Sequence, residues 1–210
     1  MSPCPQDAHC PQCPHCNGAL ETPLACSTCG ALLSVAPETP PHLILDMELA
    51  WACADDDLQR NHRRFSRMVH PDFYATAAPA ERELAEHNSA LLNSAYDILA
   101  DDLTRAEWLL EHLGGPTDKE ERQMPQEFLM EVMDWNETLA AHACGQSSDE
   151  DLDSLRRDLH ARRAAVAADL GRHLDPLPEP GAPALLEVRR LLNAARYIER
   201  SLEHAAADQA

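Results

Sequence analysis

The chain has 210 residues, enough for one to three small domains; 44% are hydrophobic but only 4% aromatic, which disfavours a large β-sandwich. The formal net charge of −19 leaves no overall basic footprint of the kind nucleic-acid binders carry. No Lys or Arg precedes Arg60, so the early positive charge of a secretory or mitochondrial leader is missing, and no apolar run approaches the ~20 residues of a membrane span. The expectation is a cytoplasmic, bacterial-type protein with neither nucleic acid nor membrane as a partner.

Residues 1–36 are rich in Cys, Pro and Gly. Six of the eight cysteines (Cys4, Cys10, Cys13, Cys16, Cys26 and Cys29) lie there, and without a signal peptide such clustering favours metal over disulfides. Cys13-Pro14-His15-Cys16 and Cys26-Ser27-Thr28-Cys29 are two CxxC pairs, each able to place two thiolates on one tetrahedral ion. Four thiolates close the coordination shell, so the expected ligand set of Cys13, Cys16, Cys26 and Cys29 describes structural zinc with no open catalytic position. Cys10 makes a further CxxC with Cys13, which leaves that set with an alternative. Gly18 and Gly30 follow the pairs where knuckle turns want positive φ. Cys53 and Cys144 lie in helical segments and read as buried small residues.

After the linker Pro37-Glu38-Thr39-Pro40-Pro41, residues 42–113 carry mostly helical patterns. Over residues 57–69, Leu58, His62, Phe65 and Val69 fall on one arc of a helix, and Arg60, Arg63, Arg64 and Arg67 on the opposite arc. Residues 58–71 contain no Asp or Glu, so the arginine face is expected to lack intrahelical partners and to suit an acidic surface on another protein. Pro71 ends this helix at His70-Pro71-Asp72. A second helix from Pro79 to about Ala100 carries Leu84, Leu91, Ala95 and Leu99 on one stripe. Two helices joined by a short loop pack antiparallel, which places His70 and Asp72 at one tip beside the arginines. A catalytic His–Asp pair is disfavoured, because no nucleophile or oxyanion signature accompanies it.

Basic helix, His-Pro-Asp loop and apolar helix together resemble a J domain. Asn93-Ser94-Ala95-Tyr96-Asp97-Ile98-Leu99 and Arg105-Ala106-Glu107-Trp108-Leu109-Leu110 resemble the NxAYxxL…RAxYLL pattern of the HscB family, the J-proteins that serve iron–sulfur scaffolds. The resemblance implies that His70, Pro71 and Asp72 stimulate ATP hydrolysis by a DnaK/HscA-type chaperone. It implies that Arg63, Arg64 and Arg67 help to dock that chaperone, with Arg60 peripheral. Phe73-Tyr74 stand where the family usually has a basic residue, and residues 43–53 match the first J helix weakly.

Gly114-Gly115-Pro116 closes this block and residues 117–124 read as a polar linker. Residues 125–208 read as three helices, broken near Gly145 and at Pro176-Leu177-Pro178-Glu179-Pro180-Gly181. The first has two apolar faces: Phe128, Val132, Trp135 and Leu139 on one arc; Leu129, Met130 and Met133 on the other, flanked by Asp134 and Glu137. One core face needs only one stripe, so the second is buried by another helix or kept for a partner. On the last helix Tyr197 falls nearly opposite the core arc of Leu185, Val188, Leu192, Ala195, Ile198 and Leu202. Phe128-Leu129-Met130-Glu131 again resembles the HscB family, which implies that Leu129, Met130, Met133, Asp134, Glu137 and Tyr197 hold an IscU-type scaffold, with Tyr197 where the family favours Phe. The CxxC pairs resemble the zinc-binding extension of some HscB proteins.

The expected protein is therefore all-α: a zinc-knuckle segment (residues 1–36), a J-domain helical hairpin (42–114) and a three-helix scaffold-binding bundle (125–208). Its expected role is that of a non-enzymatic adaptor between scaffold and chaperone. A general J-protein for other clients would want a broader apolar groove. A zinc-ribbon nucleic-acid protein would want basic residues around the knuckles, and residues 1–59 have none. A CxxC thiol oxidoreductase would want a βαβ context that the pattern lacks.

Overall fold

The computed structural model describes residues 12–126 and 128–207, so Cys4 and Cys10 lie outside the described residues. Those residues form seven α-helices and one 3₁₀ turn, with only isolated β-bridges near the cysteines, the all-α class expected. They divide into two compact units: the described residues up to Leu49 with Cys53–Asp101, and Ala50–Ala52 with the described residues from Asp102 onward. No helix among them is long and apolar enough to cross a membrane.

In the first unit, α1 (Pro41–Ile44) and α2 (Asp55–Val69) pack on α3 (Pro79–Ala100). Three aspartates, Asp55 to Asp57, occupy the first turn of α2, where their charge complements the helix dipole. Pro79 opens α3 at a position whose N–H has no helical partner to lose. Leu58, Phe65 and Val69 of α2 are buried against Ala85, Leu92, Ala95 and Leu99 of α3. The cysteine segment adds Leu24, Ala25 and Leu32 to the same core.

Three expectations change here. The buried stripe of α3 is Ala85, Asn88, Leu92, Ala95 and Leu99; Leu84 and Leu91 lie at its edge. Asn88 enters the core because its amide donates to the carbonyls of Leu24 at 2.8 Å and Leu33 at 2.9 Å, which offsets the cost of burying it. On α2, Asn61 takes the buried place, donating to the Leu45 carbonyl at 2.9 Å; His62 stays at the rim, its ring 4.4 Å from that of Tyr96 and bonded to Asn93 at 3.0 Å. The helix expected near residues 43–53 shrinks to α1. Asp46 adopts φ 52°, which interrupts a right-handed helix, and Ala50–Ala52 pack as part of the second unit.

In the second unit, α4 (Asp102–His112), α5 (Phe128–Ala143), α6 (Asp149–Leu174) and α7 (Ala184–Ala207) enclose one core that includes Leu109, Leu110, Leu159, Leu170, Val188 and Ile198. Gly114 and Gly145 carry positive φ and close α4 and α5 with paired bonds: Gly115 N–H to Leu110 and Gly114 N–H to Glu111; Gln146 N–H to Ala141 and Gly145 N–H to His142. These are Schellman ends, which require the left-handed residue glycine supplies. Ser148 and Asp151 cap the start of α6 reciprocally.

The segment expected as a linker is tied down. Asn193 of α7 donates to the carbonyls of Glu121 at 3.0 Å and Gln123 at 2.9 Å, and Arg196 pairs with Asp118 at 3.0 Å. Arg189, 2% exposed, pairs with Glu107 and donates to the Pro116 carbonyl at 3.2 Å. Arg105 lies 4.7 Å over the Trp51 ring.

Candidate docking surfaces and metal centre

The two CxxC pairs fold as matched knuckles. Cys13 N–H bonds to the Gly18 carbonyl at 2.8 Å and Cys26 N–H to Ala31 at 2.9 Å; Asn17 N–H returns to Cys13 and Gly30 N–H to Cys26, each at 2.9 Å. The left-handed residues are Asn17 (φ 57°) and Gly30 (φ 74°). Gly18, expected to fill that role, is instead a close approach: a Cβ there would lie 2.9 Å from Thr28 Oγ1.

The knuckles bring the four sulfurs within 4.8 Å of one another. Cys13 Sγ is 3.7 Å from Cys29 Sγ and Cys16 Sγ 3.6 Å from Cys26 Sγ. Tetrahedral Zn–S bonds of about 2.3 Å place sulfurs about 3.8 Å apart, so the donor set fits a metal ion. A disulfide needs about 2.05 Å, and the thiols are free. Backbone N–H groups of Cys29 and Thr28, aimed at Cys26, hold its thiol down to about 6. The Gly18 N–H favours ionised Cys16, but loss of water and the three neighbouring sulfurs outweigh it and push that thiol up to about 12. Adjacent thiolates resist ionising together unless a cation offsets them. Cys53 is half-buried and Cys144 exposed, so neither is the buried residue expected.

At the hairpin tip, His70 caps α2 and starts the 3₁₀ turn Pro71–Tyr74. His70 Nδ1 accepts from the Asp72 N–H at 3.3 Å and lies 3.6 Å from Asp72 Oδ2. The Asp72 side chain is 89% exposed and Phe73 71% exposed. Tyr74 anchors the turn by donating to the Met68 carbonyl at 2.9 Å, and burial pushes its phenol up. The tip is thus braced from below and open above.

Arg60, Arg63, Arg64 and Arg67 line one concavity on α2. The expected lack of intrahelical partners fails at Arg60 alone. Arg60 bonds to Asp57 at 2.6 Å, one turn earlier, and Arg64 pairs with Glu21 of the cysteine segment. Arg63 and Arg67 form no ion pair among the described residues. Asp57 lies one residue before the acid-free window, and Glu21 is distant in sequence, so local pattern reaches neither.

On α5, Phe128 and Trp135 are buried, while Leu129, Met130 and Met133 are 47%, 75% and 64% exposed. Asp134 and Glu137 are exposed beside them. The second stripe is therefore uncovered by the bundle. Tyr197 of α7 is half-buried: its ring meets Phe128 edge-on at 6.2 Å and its hydroxyl donates to Asn136 Oδ1 at 2.9 Å. Asn136 stands one turn after Met133 on the helix surface, so Tyr197 meets α5 at the border of the exposed stripe. Asn136 and Asp57 are site neighbours that the sequence did not single out.

Residues 124–206 match the family model described as the HSCB C-terminal oligomerisation domain. The Co-chaperone protein HscB homolog of Burkholderia mallei is 34% identical over 152 residues, 71% of this chain and 82% of that protein. The Iron-sulfur cluster co-chaperone protein HscB of Homo sapiens is 30% identical over 135 residues, 62% of this chain but only 57% of the human protein. Among solved structures, human HscB shares the fold with a TM-score of 0.76 at 24% identity, covering 95% of this chain and 98% of that one. HscB from Vibrio cholerae follows with a TM-score of 0.66 at 23% identity, covering 81% and 98%. Agreement in sequence across most of the Burkholderia protein, with the fold behind it, means that this chain belongs to the HscB co-chaperone family.

Proposed function

We propose that this chain is an adaptor of iron–sulfur cluster assembly: it holds an IscU-type scaffold and delivers it to a DnaK/HscA-type chaperone, whose ATPase it stimulates through His70, Pro71 and Asp72. The observation that carries the reading is the open His70–Asp72 tip beside the free Arg63 and Arg67, with a separate uncovered apolar stripe on α5. Exposed side chains braced by backbone contacts suit a surface that presses on a partner. Contact at the tip shifts the chaperone toward its hydrolysing state by binding that state better. Tethering raises the scaffold's local concentration at the chaperone. The chain performs no covalent chemistry in this scheme and works in the cytoplasm.

The scaffold sits on Leu129, Met130, Met133, Asp134, Glu137 and Tyr197, where flexible methionines adapt to a docked surface. The chaperone sits on Arg63, Arg64 and Arg67, with Arg60 at the margin. Cys13, Cys16, Cys26 and Cys29 hold structural zinc, which supplies cross-linking and no reaction step.

Steady-state ATP hydrolysis by the DnaK/HscA-type chaperone, with and without scaffold, tests the scheme. His70→Gln should abolish stimulation while leaving scaffold binding intact. Stimulation that persists in His70→Gln rejects the mechanism.

A further inference from the structure

We infer that Phe73 is the anchor by which the hairpin tip seats on the chaperone: its ring enters an apolar depression of that partner, beside the acidic surface met by Arg63 and Arg67. The inference rests on the reading of the tip as the chaperone dock.

The chain has three Phe, three Trp and three Tyr residues. Phe65 and Phe128 are wholly buried, every Trp and Tyr is buried or half-buried, and Phe73 alone is exposed, at 71%. A single exposed apolar side chain is ordinary on a protein surface, so the assignment needs more than exposure. Position supplies the first argument. Phe73 follows Asp72 directly, and Arg67 stands one turn before His70 on α2, so the ring continues the proposed dock. Rigidity supplies the second. The Phe73 N–H bonds to the His70 carbonyl at 3.1 Å, the ring meets that of His70 edge-on at 6.0 Å, and Tyr74 ties the turn to Met68. A ring already held in place loses little freedom on docking.

Charge supplies the third argument. No Lys or Arg lies between Arg67 and Arg82, and Asp72 is the one acid between Arg67 and Glu81. An acidic partner surface beneath the tip would gain nothing from the ring and would be repelled by Asp72. The patch that receives Phe73 is therefore apolar, and the dock has two parts of different physics. Arg63 and Arg67 meet acidic groups, which mainly steer association and weaken with salt. Phe73 adds burial of apolar area, which does not depend on ionic screening. Covering the ring also removes water from the His70 edge it rests on, and polar contacts of His70 and Asp72 strengthen where water is excluded.

The test follows ATP hydrolysis by a purified DnaK-type chaperone against the concentration of full-length chain, at low and at high salt. It reads the half-maximal concentration and the maximal stimulation separately. Phe73→Ala should raise the half-maximal concentration about tenfold, the scale of burying a large apolar side chain. The factor should be the same at both salts, with maximal stimulation retained. Phe73→Leu should recover most of the loss, since it restores apolar area. Phe73→Lys should behave like Phe73→Ala; a half-maximal concentration equal to or below that of wild type at low salt would show that the position reads charge and overturns the anchor. An unchanged half-maximal concentration in Phe73→Ala overturns it as well, as does a loss confined to maximal stimulation, which would make the ring a brace for His70. His70→Gln separates the two levels of inference. Stimulation that persists there removes the dock itself, whereas lost stimulation there beside an indifferent Phe73→Ala removes only the anchor.

Discussion

Asn88 Nδ2 lies 2.8 Å from the carbonyl oxygen of Leu24, so a side chain in the middle of α3 closes the loop that carries the cysteines. The same amide reaches Leu33 at 2.9 Å. The knuckles are therefore built into the hairpin core, with Leu24 completely buried there.

Asn88→Ala should cost the first unit about 1–3 kcal/mol, because it leaves buried carbonyl capacity unmet. Trp51, Trp108 and Trp135 all belong to the second unit. Urea unfolding followed by far-ultraviolet circular dichroism should shift to lower denaturant, while tryptophan fluorescence reports the second unit separately. An unmoved dichroism midpoint would show that the amide does not hold the loop.

Serine at any one of Cys13, Cys16, Cys26 or Cys29 should lower metal affinity by orders of magnitude, since each supplies a quarter of a closed thiolate shell. Serine at Cys53 or Cys144 should leave one ion per chain. Metal content after dialysis, paired with thiol counting, reads this directly. Acid should release the ion, because the ligands must be deprotonated to bind it. A Cys13→Ser chain that keeps its full metal content requires a different ligand set.

How far the sequence carried these features depends on whether they follow the helical period. The opposed faces of α2 did: Leu58, Phe65 and Val69 inward, the arginines outward. So did the double-faced α5, whose Phe128 and Trp135 are buried while Met130 and Met133 are not. Paired CxxC spacing was legible because a knuckle is a local shape. Buried polar residues were not, because Asn61 and Asn88 are inward for the sake of carbonyls that belong to other segments. Glu21–Arg64 spans 43 positions, and no periodicity links a loop carboxylate to a helix guanidinium. The shortened first helix has the same origin: Ala50–Ala52 are claimed by the second unit, which a local window does not see.

Met130→Ala combined with Glu137→Ala should weaken binding of an IscU-type scaffold by about 1–3 kcal/mol, roughly five- to 150-fold, if these side chains lie at the centre of the contact. Met130 is 75% exposed, so fold stability should change by no more than about 0.5 kcal/mol. Isothermal titration with the scaffold gives the affinity, and the melting curve of the free chain gives the control. Unchanged affinity with an unchanged melt would remove this face from the interface.

The arginines of α2 should contribute unequally to chaperone binding, in an order set by their existing partners. Arg60 already sits 2.6 Å from Asp57 on its own helix, so a docking surface must compete with that carboxylate. Arg63 and Arg67 have no such competitor among the described residues. Alanine at Arg63 or Arg67 should therefore slow association with the DnaK-type chaperone several-fold at low salt, and the difference should shrink as salt rises over the Debye length. Alanine at Arg60 should have a smaller effect, because it removes a charge that Asp57 largely cancels. Stopped-flow association rates for the three single variants, each at low and high salt, would rank them. If Arg60→Ala slows association as much as Arg67→Ala, the face is read as a uniform positive field and internal pairing does not select its contacts.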